Sequence, residues 1–456
     1  MKTVSAASTR IVRPIGPVGV PVLGVLPQFR KHPAEYALEL ARRFGDLVYV
    51  RLLNQHAYIV SHPDAIRDIL VTHQNNFKKS RILERARVLL GEGLLTSEGE
   101  YHTRQRRFVQ PAFHRDRLIR YASDMVTCAE KAREELRPGD WEVLELMTHL
   151  TLAIVGRTLF SADVSSDASD IGAALTDIFS LFDTLLMPFA DLFMKLPVPA
   201  MKKFERSRAK LDRVVYGLIE ERRRSGKDEG DLLSMLLLAQ DEDGSQMTDK
   251  QVRDEALTLL LAGHETTANA LTWCWYLLSQ NADAEKRFHQ EIDEVLKGQL
   301  PTFDDLPRLP YVTGVFAEAL RLYPPAPNIG RRVVNDYPIG EFTLPAKSIV
   351  LMSPYVVHRD PRWWSDPEKF EPARWSSPEG REEGEKRPKF AYFPFGGGTR
   401  VCIGERFAWA EGVLVLATLG QKWRMRLVPG HPVESVARIT LRPKYGMRMT
   451  LERRDQ

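Results

Sequence analysis

The run QVRDEALTLLLAGHETTANALTWCWYLL, residues 251–278, keeps helical spacing from end to end. At about 1.5 Å per residue it spans roughly 40 Å, enough to cross a whole domain. Almost everything from residue 63 to about 281 shares that period, broken at Pro111, Pro138, Gly139, Pro188, Pro197 and Gly226. Upstream, LVYVRLL and AYIVS flank Asn54 and Gln55 as a hairpin; downstream come short strand patterns over 332–352, a loop-rich stretch over 361–398, a helix after Cys402 and a strand-like tail. With 43% hydrophobic and 27% charged residues the chain can bury a large core. No repeat or Gly/Ser linker marks a boundary. The expected fold is mainly α with a small β-rich flank, a single domain over residues 1–456. Its β-rich portion lies near 45–62 and 328–353 with C-terminal strands, and its helical portion over 63–325 and 402–420.

The centre of the long helix is unusual. Glu265, Thr266 and Thr267 interrupt an apolar stretch beside Gly263, and the pattern continues on both sides, so they are not a cap. At about 100° per residue, Glu265 and Thr266 share a face with Ala262, whereas His264 points the other way and reads as a packing histidine. An acid and an alcohol in a dry pocket can hold water and relay protons.

A second unusual stretch is FGGGTRVCIG, residues 395–404. Glycines before a helix let the backbone turn tightly and approach something flat or charged. Cys402 would then sit at the start of a helix over 403–419, where free N–H groups and the helix dipole favour a thiolate. One reading is a buried structural cysteine. The other is a thiolate ligand to a metal whose remaining positions a cofactor supplies. Cys128, Cys274 and Cys402 are the only cysteines and lie far apart, without zinc or CxxC spacing. That argues for a reducing compartment.

The order Phe395, Gly398, Arg400, Cys402, Gly404 resembles the haem-binding signature of the cytochrome P450 superfamily, the haem-thiolate monooxygenases. Other segments agree in order. AGHETT resembles the oxygen-activation motif, EALRLYPP with FEPARW resembles the network joining Glu318, Arg321 and Arg374, and GEYHTRQRRF resembles the helix carrying His102 and Arg106. The resemblance implies the P450 fold, with haem b between the long central helix and the Cys-loop helix and Cys402 as axial ligand. Phe395 would shield the sulfur, Gly398 permit the turn, and Ala262 leave room over the iron. His102, Arg106, Arg400 and one of Arg331 or Arg332, with Arg331 preferred, would reach the propionates. Glu265 and Thr266 would be the catalytic pair. Glu318, Arg321 and Arg374 would be structural, pinning the cysteine loop.

The implied reaction inserts one oxygen atom of O2 into an organic substrate, with two electrons from NAD(P)H arriving through a separate ferredoxin- or flavodoxin-type donor and its reductase. Arg104, Arg107, Lys386, Arg387, Lys389 and Arg406 are candidates for the donor's basic dock. The apolar stretch at 178–201 points to a lipophilic substrate such as a fatty acid, terpenoid or steroid. A peroxygenase or a non-catalytic haem protein on the same fold is the alternative, against which the intact Glu265 and Thr266 count. A net charge of +4 gives no case for nucleic acid. Pro14, Pro17, Pro21 and Pro27 break the apolar N-terminal stretch, so neither a transmembrane anchor nor a secretory leader is expected, and a cytoplasmic location is.

Overall fold

The central helix runs from Asp249 to Gln280, two residues beyond the sequence reading at each end. Its start is fixed by a capping box: Gln251 N donates to Thr248 Oγ1 at 3.3 Å, and Thr248 N donates back to Gln251 Oε1 at 2.8 Å. This computed structural model describes residues 13–162, 171–172, 174, 177–178, 198–240, 244–437 and 439–454. Around the central helix pack Val143–Phe160, Pro199–Ser225, Pro310–Leu322 and Glu405–Gly420, together with the strand Trp423–Leu427. Because neighbours surround it, the helix is buried on nearly all sides along most of its length. Among the described residues, Val143–Phe160 alone is long and apolar enough to cross a bilayer. It packs along the central helix, with 61% of it buried and Thr151 Oγ1 donating to His264 O at 3.0 Å, as befits a core helix.

The β-rich flank is a five-stranded sheet in the order Leu47–Leu52, Gln55–Val60, Ile349–Met352, Ile329–Val333, Phe77–Lys79. The first two strands form the expected hairpin, with Leu47 opposite Val60, and the second runs parallel to Ile349–Met352. At the far edge Lys79 lies opposite Arg331 in an antiparallel pair. A three-stranded sheet joins Gly139–Glu142, Arg448–Arg453 and Trp423–Leu427, and a two-stranded hairpin pairs Ser435–Ala437 with Leu441–Pro443.

Three local readings change. Phe77–Lys79 and Gly139–Glu142 are strands inside a stretch read as helical, each made a strand by a partner more than 200 residues away. Pro378–Lys386 is a helix inside the stretch read as loop, started by Ser377, whose hydroxyl accepts from Gly380 N. The apolar stretch at 178–201 lies, over 179–197, outside the described residues; Ile178 and Met201 at its ends are buried.

Candidate active site

The cysteine loop is shaped by close protein contacts. Gly398 has φ +68°, and a Cβ there would sit 1.9 Å from Leu70 O, so only glycine fits. A Cβ on Gly397 would meet the Phe390 ring at 2.5 Å. Gly397 and Gly398 therefore admit neighbouring protein at these two positions. Cys402 N closes the loop by donating to Phe395 O at 2.9 Å, and the Phe395 ring packs against Trp409 with centroids 5.9 Å apart.

The following helix begins at Glu405, so Cys402 precedes it and does not open it. Burial pushes the thiol up to about 11, while Gly404 N–H and the nearby Arg106 draw it down. The thiolate-favouring effect expected of the helix end is thus outweighed by desolvation. Cys402 is nevertheless reachable by solvent.

Beside the loop, cations gather. Arg106 Nη1 donates to Val401 O at 2.9 Å, and Arg400 donates to Ser97 O at 2.9 Å and to Glu98 Oε2 at 2.5 Å. Lys79 Nζ donates to the carbonyls of Leu94 and Ser97, both at 2.9 Å. Desolvation first, and then the neighbouring Arg400, pushes Lys79 down to about 7 and Arg331 down to about 10. His102 is buried and held neutral, driven to about 3 by burial and by Arg400, Lys79 and Arg106. Against these stand Glu98 and Glu255. Glu255 accepts from Leu94 N at 2.9 Å and is itself pushed up to about 7 by burial. Buried Ser97 Oγ and Gln105 Oε1 have no partner among the described residues. The depressed cations and the unpartnered Ser97 hydroxyl, which can donate, fit an anionic group at this place, whereas Gln105 Oε1 can only accept. Of the two arginines left open by the sequence, Arg332 pairs with Glu84 at 2.8 Å away from the cluster, and Arg331 belongs to it.

On the central helix, Ala262 is exposed between buried Leu261 and His264. His264 is buried, its Nδ1 2.8 Å from Leu260 O, as a packing histidine should be. Glu265 and Thr266 do not meet. Thr266 Oγ1 donates to Ala262 O at 2.7 Å, while Glu265 Oε1 accepts from Thr440 Oγ1 at 2.6 Å. Burial pushes Glu265 up to about 7. From the Cys-loop helix, Glu411 lies fully buried, neither carboxyl oxygen having a hydrogen-bond partner among the described residues. Desolvation pushes it up to about 8, and the Thr267 hydroxyl near it, which donates to Gly263 O, offsets little.

Glu318, Arg321 and Arg374 come together without solvent. Arg321 holds both Glu318 oxygens at 2.8 Å, Arg374 Nε reaches Oε1 at 3.2 Å, and Trp375 Nε1 reaches Oε2 at 3.0 Å. Arg321 also donates to His358 O at 2.8 Å, and His358 Nε2 accepts from Phe393 N at 3.0 Å, two residues before Phe395. The network thereby reaches the start of the cysteine loop.

The cytochrome P450 family model matches residues 14–448. The chain belongs to the cytochrome P450 family. It is 38% identical over 448 residues to a cyclooctatin synthase of Streptomyces melanosporofaciens, covering 97% of this chain and 96% of that one. It is 35% identical over 444 residues to a pentalenene oxygenase of Streptomyces avermitilis, covering 96% and 97%. Among solved structures, a retinoic acid-bound cyanobacterial P450 superposes with a TM-score of 0.87 at 29% identity, covering 97% of this chain and 99% of that one. This P450 is an oxidoreductase of the monooxygenase type, and the family implies haem with cysteine-thiolate ligation. Sequence reasoning missed Lys79, Glu98, Glu255, Glu411 and Thr440. Each reaches the site through a long-range contact that no local pattern announces.

Proposed function

We propose that this P450 hydroxylates a terpenoid, using O2 and two electrons passed singly from NAD(P)H by a separate ferredoxin- or flavodoxin-type donor. Support for the substrate class comes from relatives named for cyclooctatin and pentalenene, both terpenoids, aligned over nearly the whole chain. The observation that carries the cofactor reading is the surplus of buried cations beside Cys402. Cys402 would hold haem b through its thiolate, and His102, Arg106, Arg331, Arg400 and Lys79 would hold its propionates. Bound haem supplies the oxygen-activating iron, to which the thiolate donates electron density.

The chain's own residues do the rest. Phe395 and Trp409 pack beside the cysteine loop, and the Glu318 network fixes it from behind. Ala262 keeps the central helix slim where substrate must approach. Glu265, titrating near neutral, and Thr266 hold a water and hand on the protons that the reaction consumes. Of the candidate docking cations, Arg387 drops out: its side chain is 8% exposed and donates to Trp363 O and Glu383. Lys386 is paired with Glu382. Arg107, Lys389 and Arg406 are exposed at the surface.

Optical titration of the purified haem protein with cyclic terpene alcohols and with fatty acids tests the substrate class. A low-spin to high-spin shift at lower concentration for the terpenes, followed by NAD(P)H-dependent hydroxylation with a ferredoxin and its reductase, is expected. A shift with fatty acids alone would overturn the terpenoid reading.

A further inference from the structure

Glu265 is held from outside its own helix. Thr440, 175 residues on, donates its hydroxyl proton to Glu265 Oε1 at 2.6 Å and immediately precedes Leu441–Pro443 of the C-terminal hairpin. Asn269, one turn along the central helix, donates Nδ2 to Glu265 O at 2.9 Å and to Thr440 Oγ1 at 3.4 Å. With one lone pair of Oγ1 taken by that N–H, the Thr440 hydroxyl proton points at the Glu265 carboxyl whenever that group is charged. The hairpin is anchored at the same place: Leu441 N donates to Pro325 O at 2.9 Å, and Trp273 Nε1 of the central helix donates to Leu441 O at 3.4 Å. Thr440 is 7% exposed, so water does not easily replace it.

We propose that Thr440 is a positioning residue that holds the Glu265 carboxyl turned toward the C-terminal hairpin. The inference rests on the reading of Glu265 as a proton-handling group and adds what controls it. A donor to the charged form lowers a carboxyl's affinity for its proton, here opposing the desolvation that raises it. Arg442, next but one on the hairpin, pulls in the same direction as Thr440. His264 is turned to Leu260 O, and Glu411 faces Thr267 from the Cys-loop helix. Loss of the Thr440 hydroxyl therefore leaves Arg442 alone against burial. Anything that shifts the hairpin changes where the acid points.

The test uses the haem-loaded enzyme and infrared difference titration of the carboxyl band that disappears in Glu265→Gln. In Thr440→Val, which keeps the side chain's shape, the midpoint should rise by about one pH unit or more, a tenfold change in proton affinity. Thr440→Ser should restore the parent value. The pH profile of hydroxylation should move with the infrared midpoint while the substrate's spin-shift affinity in Thr440→Ser stays that of the parent. An unchanged midpoint in Thr440→Val overturns the positioning role. Should Glu265→Gln instead leave product per NAD(P)H unchanged, the proton-handling reading fails, whereas the infrared shift still reports on Thr440.

Discussion

Glu318 has no solvent exposure and accepts from Arg321, Arg374, Trp375 and the backbone of Glu371. A buried carboxylate so surrounded is stable only as a set, since removing it strands two guanidinium groups in a low-dielectric interior. Glu318→Gln should lower unfolding free energy by about 3–5 kcal/mol and weaken haem retention, read by denaturant titration and by the haem-to-protein absorbance ratio. Stability and haem content like those of the parent would show that the network is dispensable. The i,i+3 spacing of Glu318 and Arg321 was legible on the chain, and so was a third partner in FEPARW. That Trp375 and the Glu371 N–H complete the shell was not, because those contacts are set by how residues 366–375 fold back.

At the scale of elements, the Cys-loop helix Glu405–Gly420 and the central helix meet through a buried acid that no cation offsets. Glu411 keeps its proton up to about 8 when folded, against an ordinary value of 4.5 in the unfolded chain. The folded state thus binds more protons between those values, and its stability falls as pH rises through that window. Below 4.5 both states are protonated and no penalty remains. Glu411→Gln, neutral at every pH, should match the parent near pH 4.5 and exceed it by a few kcal/mol near pH 8, read as the difference of two urea unfolding series. Equal stability at both pH values would mean that the carboxyl is solvated. The periodicity of both helices was plain in the sequence, yet Glu411 lay in an apolar run with nothing to mark the face it would share with Thr267.

Over the whole molecule, the exposed cations are the proposed approach for an acidic electron donor. Charge reversal of Arg406, which flanks an apolar groove lined by Leu118, Phe303 and Trp409, should slow reduction by an acidic ferredoxin and flatten its dependence on salt. Substrate-induced spin shift should be unaffected. Stopped-flow reduction at two ionic strengths checks this, and an unchanged rate would remove this face from the dock.

The sequence by itself determined the mainly helical fold and the family, because helical period is a local property and the FGGGTRVCIG signature is contiguous. Tertiary structure alone decided what those residues do at rest. It placed Cys402 in an interior that desolvates its thiol, and used Gly398 to admit Leu70. It separated Glu265 from Thr266 by giving each another partner. Such outcomes depend on burial and on donors from distant segments, and neither is written in the spacing of neighbours along the chain.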